Sequence, residues 1–201
     1  MPLQICIFSP YREDVADSVR TALAVVPGVQ AVYMGQEIEK DDSGICVLQW
    51  KSDLIHVVSD IVANVLHSFQ PASHLEYNEI IKVAPEDGGE DKHVLARLFS
   101  VPVQELTLAT LKKSEDREQW KNLLQRRKLR LAMGAPRALG GFVDGIEERN
   151  SYRYVVLVGW DSYEAASLAK EIEGRGIIED MQEVVELDVK YAKRKMYGGR
   201  D

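Results

Sequence analysis

Four histidines, His56, His67, His74 and His93, fall in the first 93 residues, and none follows in the remaining 108. An imidazole titrates near neutral pH. Chemistry that removes a proton from a phenol, or from carbon beside a carbonyl, therefore has its natural base among them. A tyrosine hydroxyl can hold the oxygen on which charge then develops. His74 and Tyr77 make the leading pair, because strand ends and loops carry sites more often than helix middles do. Simple strand alternation sets these two on opposite faces unless His74 precedes the regular strand. His56, Asp60, Asn64 and His67 recur at helical spacing, opposite an apolar stripe of Ile55, Val58, Val62 and Val65. Residues so placed can ligate a metal, but the pattern is that of a solvated helix face, and no metal is expected. Trp50 and Trp160 end apolar runs; they plug the core or stack on an aromatic ligand. Tyr11 and Tyr33 line the same pocket or pack half-buried.

The elements that must position these residues follow from periodicity. Leu3–Phe8 is a short apolar strand stopped at Ser9-Pro10, and Val15, Val19, Leu23 and Val26 give helical spacing before Pro27-Gly28. Val29–Met34 and Ile45–Trp50 are strands on either side of an Asp41-Asp42-Ser43-Gly44 turn. A helix follows from about Ser52, and Leu75–Val83 is a fourth strand. This order, β-α-β-β-α-β, is the ferredoxin-like unit. The acidic stretch PEDGGED opens a linker, 85–99, between a first unit, 1–84, and a second, 100–201. The order then repeats: strand Val103–Thr110, a long helix with Trp120, Leu123, Leu124 and Leu131, and strands Ala138–Ile146 and Tyr152–Trp160. A capping box at Asp161 and Glu164 opens a helix with Ala165, Leu168, Ala169 and Ile172 inward. Strand Val184–Tyr191 and a basic tail close the chain. The fold class expected is α+β, two tandem ferredoxin-like repeats.

Composition excludes much else. The chain has 201 residues, 45% hydrophobic, enough for one large or two small domains with a real core. Its net charge of −7 is uneven. Residues 1–93 hold 6 basic against 15 acidic side chains and residues 94–201 hold 19 against 17, a balance of −9 against +2. An acidic first half opposes phosphate-backbone binding, and the cluster Lys121, Arg126, Arg127, Lys128 and Arg130 is a solvated helix face, so no nucleic-acid partner is expected. No apolar run approaches a membrane span, the N-terminus lacks a secretory layout, and two cysteines suit a reducing cytoplasm. Cys6 and Cys46 lie on the first and third strands, neighbours in such a sheet, as small buried hydrophobes. Nucleotide-phosphate loops, the G-x-S-x-G elbow and H-E-x-x-H are absent from the sequence.

The repeat is visible in residues. ICVLQWKS (45–52) lies over VVLVGWDS (155–162), pairing Trp50 with Trp160 at an offset of 110, which also sets Gly35 on Gly145 and Glu37 on Glu147. The Trp-x-Ser step from strand to helix, with a histidine six residues after the tryptophan, resembles the stress-responsive A/B barrel domains of the dimeric α+β barrel superfamily. WKSDLIH (50–56) carries it at Trp50, Ser52 and His56. WDSYEAA (160–166) carries Trp160, Ser162 and Glu164, with Ala166 in the histidine's place. A Pro-x-His step before the last strand is also typical, and Pro71-Ala72-Ser73-His74 is one residue longer.

The resemblance implies that two ferredoxin-like units pack sheet to sheet as a barrel with helices outside. Usually the units are separate chains; here one chain supplies both, as a monomeric pseudo-dimer or as half of a homodimer. It also implies a pocket between sheet and helices, where relatives of this type bind small aromatic or polyketide-like molecules. Cofactor-independent monooxygenases and polyketide cyclases occur among them, alongside members without known activity. The expectation is a cyclase, decarboxylase or monooxygenase using no cofactor. Its expected catalytic residues are His74, His56 and Tyr77, and its expected substrate contacts are Trp50, Tyr11, Tyr33 and Trp160. The alternatives are a non-catalytic ligand-binding barrel and an assembly module.

Overall fold

A computed structural model describes residues 2–51, 59–82, 96, 98–131, 137–143, 153–172 and 174–194. His56, His93, Ser52 and most of the expected linker lie outside them. The chain divides into two compact units, Met1–Val83 with Ala192–Asp201, and Ala84–Tyr191.

The first unit holds β1 (Pro2–Ser9), α1 (Glu13–Ala24), β2 (Val29–Glu37), β3 (Gly44–Trp50), α2 (Ser59–Phe69) and β4 (His74–Lys82). The strand order is β4-β1-β3-β2, with the paired strands antiparallel. β1 is apolar on both sides, and Pro2–Phe8 is buried throughout. Cys6, Phe8, Cys46, Leu48 and Trp50 pack with Val19 and Leu23 of α1 and with Val62 and Leu66 of α2. The intervening residues Leu3, Ile5, Ile7, Ile45 and Val47 point to the opposite face and are buried as well. The apolar stripe expected on α2 is seen at Val62, while Asp60, Asn64 and His67 are exposed.

The second unit repeats the plan with β5 (Val103–Leu111), α3 (Arg117–Leu131), β6 (Arg137–Phe142), β7 (Arg153–Trp160), α4 (Tyr163–Ile172), α5 (Gly174–Val184) and β8 (Val185–Arg194). Its strand order is β8-β5-β7-β6, the same fourth-first-third-second arrangement. Together the units make an α+β fold of antiparallel strands and helices. Among the described residues, no helix is long and apolar enough to cross a membrane.

Helix α5 has no counterpart in the sequence reading, and four further details differ from it. Leu98 and Phe99 are buried, so the second core begins inside the segment expected to be linker. Gly159 permits this: a Cβ there would stand 2.8 Å from the Leu98 carbonyl oxygen. The last strand is not confined to the second unit, since Ala192–Arg194 pairs with Gly35–Glu37 of β2. Gly35 again allows the approach, because its Cβ would lie 2.9 Å from the Lys193 carbonyl oxygen. Ser162, not Asp161, caps α4: the Ala165 amide donates to its Oγ at 3.1 Å. Finally, Leu168 is 56% exposed, and Ala166 takes the buried position on that helix.

Candidate functional site

The outer strand β4 sets the geometry around His74. Along β1 the partners run Cys6 with Asn78 and Ile7 with Tyr77, then Phe8 with Leu75 and Ser9 with His74. Glu76 is therefore one residue too many, a β-bulge, and the extra residue shifts the alternation by one. Ile7 and Ser9 share a face of β1, so Tyr77 and His74 share that face too. Simple alternation had set them apart. His74 is exposed and Tyr77 half-buried. The bulged Glu76 meets the β2–β3 turn, where Lys40 Nζ donates to Glu76 Oε1 at 2.7 Å. That hydrogen bond, aided by nearby carboxylates, raises the Lys40 pKa above its ordinary value. Tyr33 pairs with Val47, which pairs with Ile5, so Tyr33 lies on the same face as His74 and Tyr77.

Trp50 and Tyr11 belong to the other face. Trp50 is 1% exposed in the helix-covered core, and Tyr11 packs at the edge of the same cluster, its ring 6.2 Å from that of Phe8. The Trp50 indole N–H donates to Gln4 Oε1 at 3.1 Å. Gln4 Nε2 in turn donates to Asn78 Oδ1 at 2.8 Å, and the Cys6 thiol donates to the same oxygen at 3.3 Å. Trp50 stands next to Gln49, which is opposite Leu3, whereas His74 is opposite Ser9. Six residues of β1 separate those rungs, about 20 Å at ~3.4 Å each. One small substrate cannot touch both side chains. His74 and Tyr77 lie opposite β1 residues two apart, on one face; Tyr33 is on that face but three strands away, about 14 Å across the sheet, and Trp50 and Tyr11 are on the other face.

The second unit builds the counterpart of the Trp50 network from different groups. Trp160, 2% exposed, donates its indole N–H to Glu105 Oε2 at 3.0 Å, and Thr107 Oγ1 donates to Glu105 Oε1 at 2.9 Å. Glu105 is opposite Val158, two residues before Trp160, just as Gln4 is opposite Leu48, two residues before Trp50. Nearby, Tyr154 meets Phe142 and Trp120 edge to face, at 4.7 and 5.9 Å, and burial raises its phenol pKa.

Gln4, Asn78, Glu105 and Thr107 were not singled out from sequence. Their signal was present: a polar residue at an inward position of an apolar strand is held there only by a partner. Among the described residues, no group of three or more His, Cys, Asp or Glu side chains is arranged to hold a metal ion.

Neither a family model nor a curated relative matches the sequence. Solved structures do match, over nearly the whole chain. A "putative monooxygenase" from Lactobacillus acidophilus aligns with TM-score 0.56 at 12% identity, covering 96% of this chain and 93% of its own. A "putative chlorite dismutase", TA0507, aligns with TM-score 0.63 at 12% identity, covering 96% and 94%. An anthrone oxidase-like protein aligns with TM-score 0.58 at 11% identity, covering 96% and 91%. The fold is the one these solved structures share. At these identities the likeness is one of backbone, with both units included in the aligned length.

Proposed function

We propose that this chain is a cofactor-independent enzyme acting on an aromatic or polyketide-like small molecule, a single-chain tandem version of the stress-responsive A/B barrel type. The observation that carries the reading is the bulge at Glu76, which sets the His74 imidazole and the Tyr77 phenol on one face of β4. The first step common to cyclisation, decarboxylation of a phenolic acid and oxygenation by dioxygen is formation of a phenolate or enolate. His74 accepts the proton, and the Tyr77 hydroxyl donates a hydrogen bond to the oxygen left negative. Tyr33, on the same face but three strands away, takes no part in this step. Trp50, Trp160 and Tyr11 serve the packing of the helix-covered faces, and His56 is held in reserve by its place in the Trp-x-Ser motif. The fold shared with monooxygenase-like and anthrone oxidase-like structures supports the substrate class.

Turnover of a panel of anthrones, phenolic acids and linear polyketones, followed by absorbance, tests the proposal. His74→Ala is expected to abolish turnover, and Tyr77→Phe to lower it about 100-fold. Because His74 is exposed, its loss should change stability by less than about 1 kcal/mol. A larger loss with His56→Ala than with His74→Ala would transfer the base to the motif histidine. That same exposure favours a second reading, a non-catalytic ligand-binding barrel, in which both variants behave like the unmodified chain across the panel.

A further inference from the structure

The chain has two cysteines, and the sheet sets them face to face. Cys6 of β1 and Cys46 of β3 are directly opposite each other in an antiparallel pair, and both thiols are free. Directly opposed residues have Cα atoms about 4.5–5.5 Å apart, within the span of about 4.4–6.8 Å that a disulfide bridges. Their side chains point to the same face, since both belong to the cluster under α1 and α2. Cβ atoms of opposed residues lie about 4.5–5.5 Å apart, so closing a bond asks for a shift of about 1 Å or less. Both residues are wholly buried. Cys6 is also tied to the polar network, its thiol donating to Asn78 Oδ1, the oxygen that accepts from Gln4.

We propose that Cys6 and Cys46 form an oxidisable dithiol that closes to an intramolecular cross-strand disulfide on exposure to peroxide. One sulfur displaces water from hydrogen peroxide and becomes a sulfenic acid; the facing thiol then displaces a second water and forms the S–S bond. Two thiols and one peroxide thus yield one disulfide and two waters. The reaction is slow in the folded chain. Burial holds the Cys46 thiol up to about 12 and pushes Cys6 well above its ordinary value, with Cys46 adding to the effect on Cys6, so little thiolate exists at neutral pH. Peroxide reaches the pair when the helix layer opens locally. Closure removes the Cys6 donor from Asn78 Oδ1, which also accepts from Gln4, so the change is passed toward Trp50.

The full-length chain is treated with hydrogen peroxide in native buffer, quenched, denatured, alkylated with N-ethylmaleimide and weighed. The expected product loses both alkylation sites, is about 2 Da lighter than the reduced chain, and regains both sites with dithiothreitol. Its digest joins the peptides carrying Cys6 and Cys46, and non-reducing electrophoresis shows a monomer. In a spectrum of indole N–H resonances, the Trp50 signal moves and the Trp160 signal does not. In Cys46→Ala, the 2 Da loss and the Trp50 shift both disappear. Two outcomes overturn the proposal: thiols that remain alkylatable after native peroxide treatment prolonged well past the time that oxidises the same two cysteines in the denatured chain, and linkage found only between chains or only in denaturant. A linked pair with an unmoved Trp50 resonance overturns the coupling to the network.

Discussion

In the first unit the indole of Trp50 gives its proton to an amide, Gln4; in the second the indole of Trp160 gives its proton to a carboxyl group, Glu105. Both acceptors sit one strand over and two residues back from their tryptophan, on a face that helices cover. What the two share is an acceptor oxygen at a fixed position. What they do not share is the remainder of the group: Gln4 uses its spare N–H on Asn78, whereas Glu105 uses its second oxygen on Thr107. The comparison teaches that the fold at the end of β3 and β7 requires one accepting atom, and that the rest of each network is free to differ.

The largest effect expected comes from removing the tryptophans. Trp50→Ala and Trp160→Ala should each cost about 3–5 kcal/mol in denaturant unfolding, since each indole is fully buried. Costs differing by more than ~2 kcal/mol between the two would break the equivalence. Next comes Glu105. Its replacement by alanine strands the Trp160 and Thr107 donors at about 1–3 kcal/mol each, while Glu105→Gln keeps one oxygen to accept from Trp160 and offers an NH2 that the Thr107 hydroxyl accepts by turning, and should cost less than about 1 kcal/mol. If Gln proves as damaging as Ala, the carboxyl group has a task that Gln4 lacks, and the parallel fails there.

A smaller, pH-dependent effect separates the units by titration. The unfolded chain releases thiol protons near pH 9, while the folded first unit holds them, Cys46 up to about 12. Above pH 9 the unfolded state therefore binds fewer protons, and stability falls by up to about 1.4 kcal/mol per pH unit for each thiol. Below pH 9 neither thiol contributes a slope. Cys46→Ala should reduce the slope between pH 9 and 10. Tyr154→Phe should leave that interval alone and flatten the curve only above pH 10, where the raised phenol of the second unit adds its own loss. Thermal midpoints measured from pH 8 to pH 11 check both.

Most of the architecture was legible because it rests on periodicity. Strand runs such as ICVLQW and VVLVGW, and the helix with Trp120 and Leu123, place themselves by which residues must leave water. The Trp-x-Ser step was legible too, and Ser162 shows why it exists, since its hydroxyl caps the next helix. Two things escaped for a common reason: they depend on counting between strands, not along one. Gln4 and Glu105 are offset by 101 residues, while Trp50 and Trp160 are offset by 110, so a constant-offset comparison misses the first pair by nine positions. The pairing of Ala192–Arg194 with β2 likewise depends on a distant bare glycine at position 35, which no local pattern announces.

The bulge at Glu76 has a consequence for anyone comparing this chain with others column by column. It acts as a phase shifter, converting an odd spacing between His74 and Tyr77 into same-side placement. A related chain lacking the bulge would reach the same placement with a histidine two or four residues before its tyrosine. Standard alignment would then report a missing histidine where the chemistry had merely moved by one column. Ranked by side of the sheet instead of by column, such chains would fall into the same functional class.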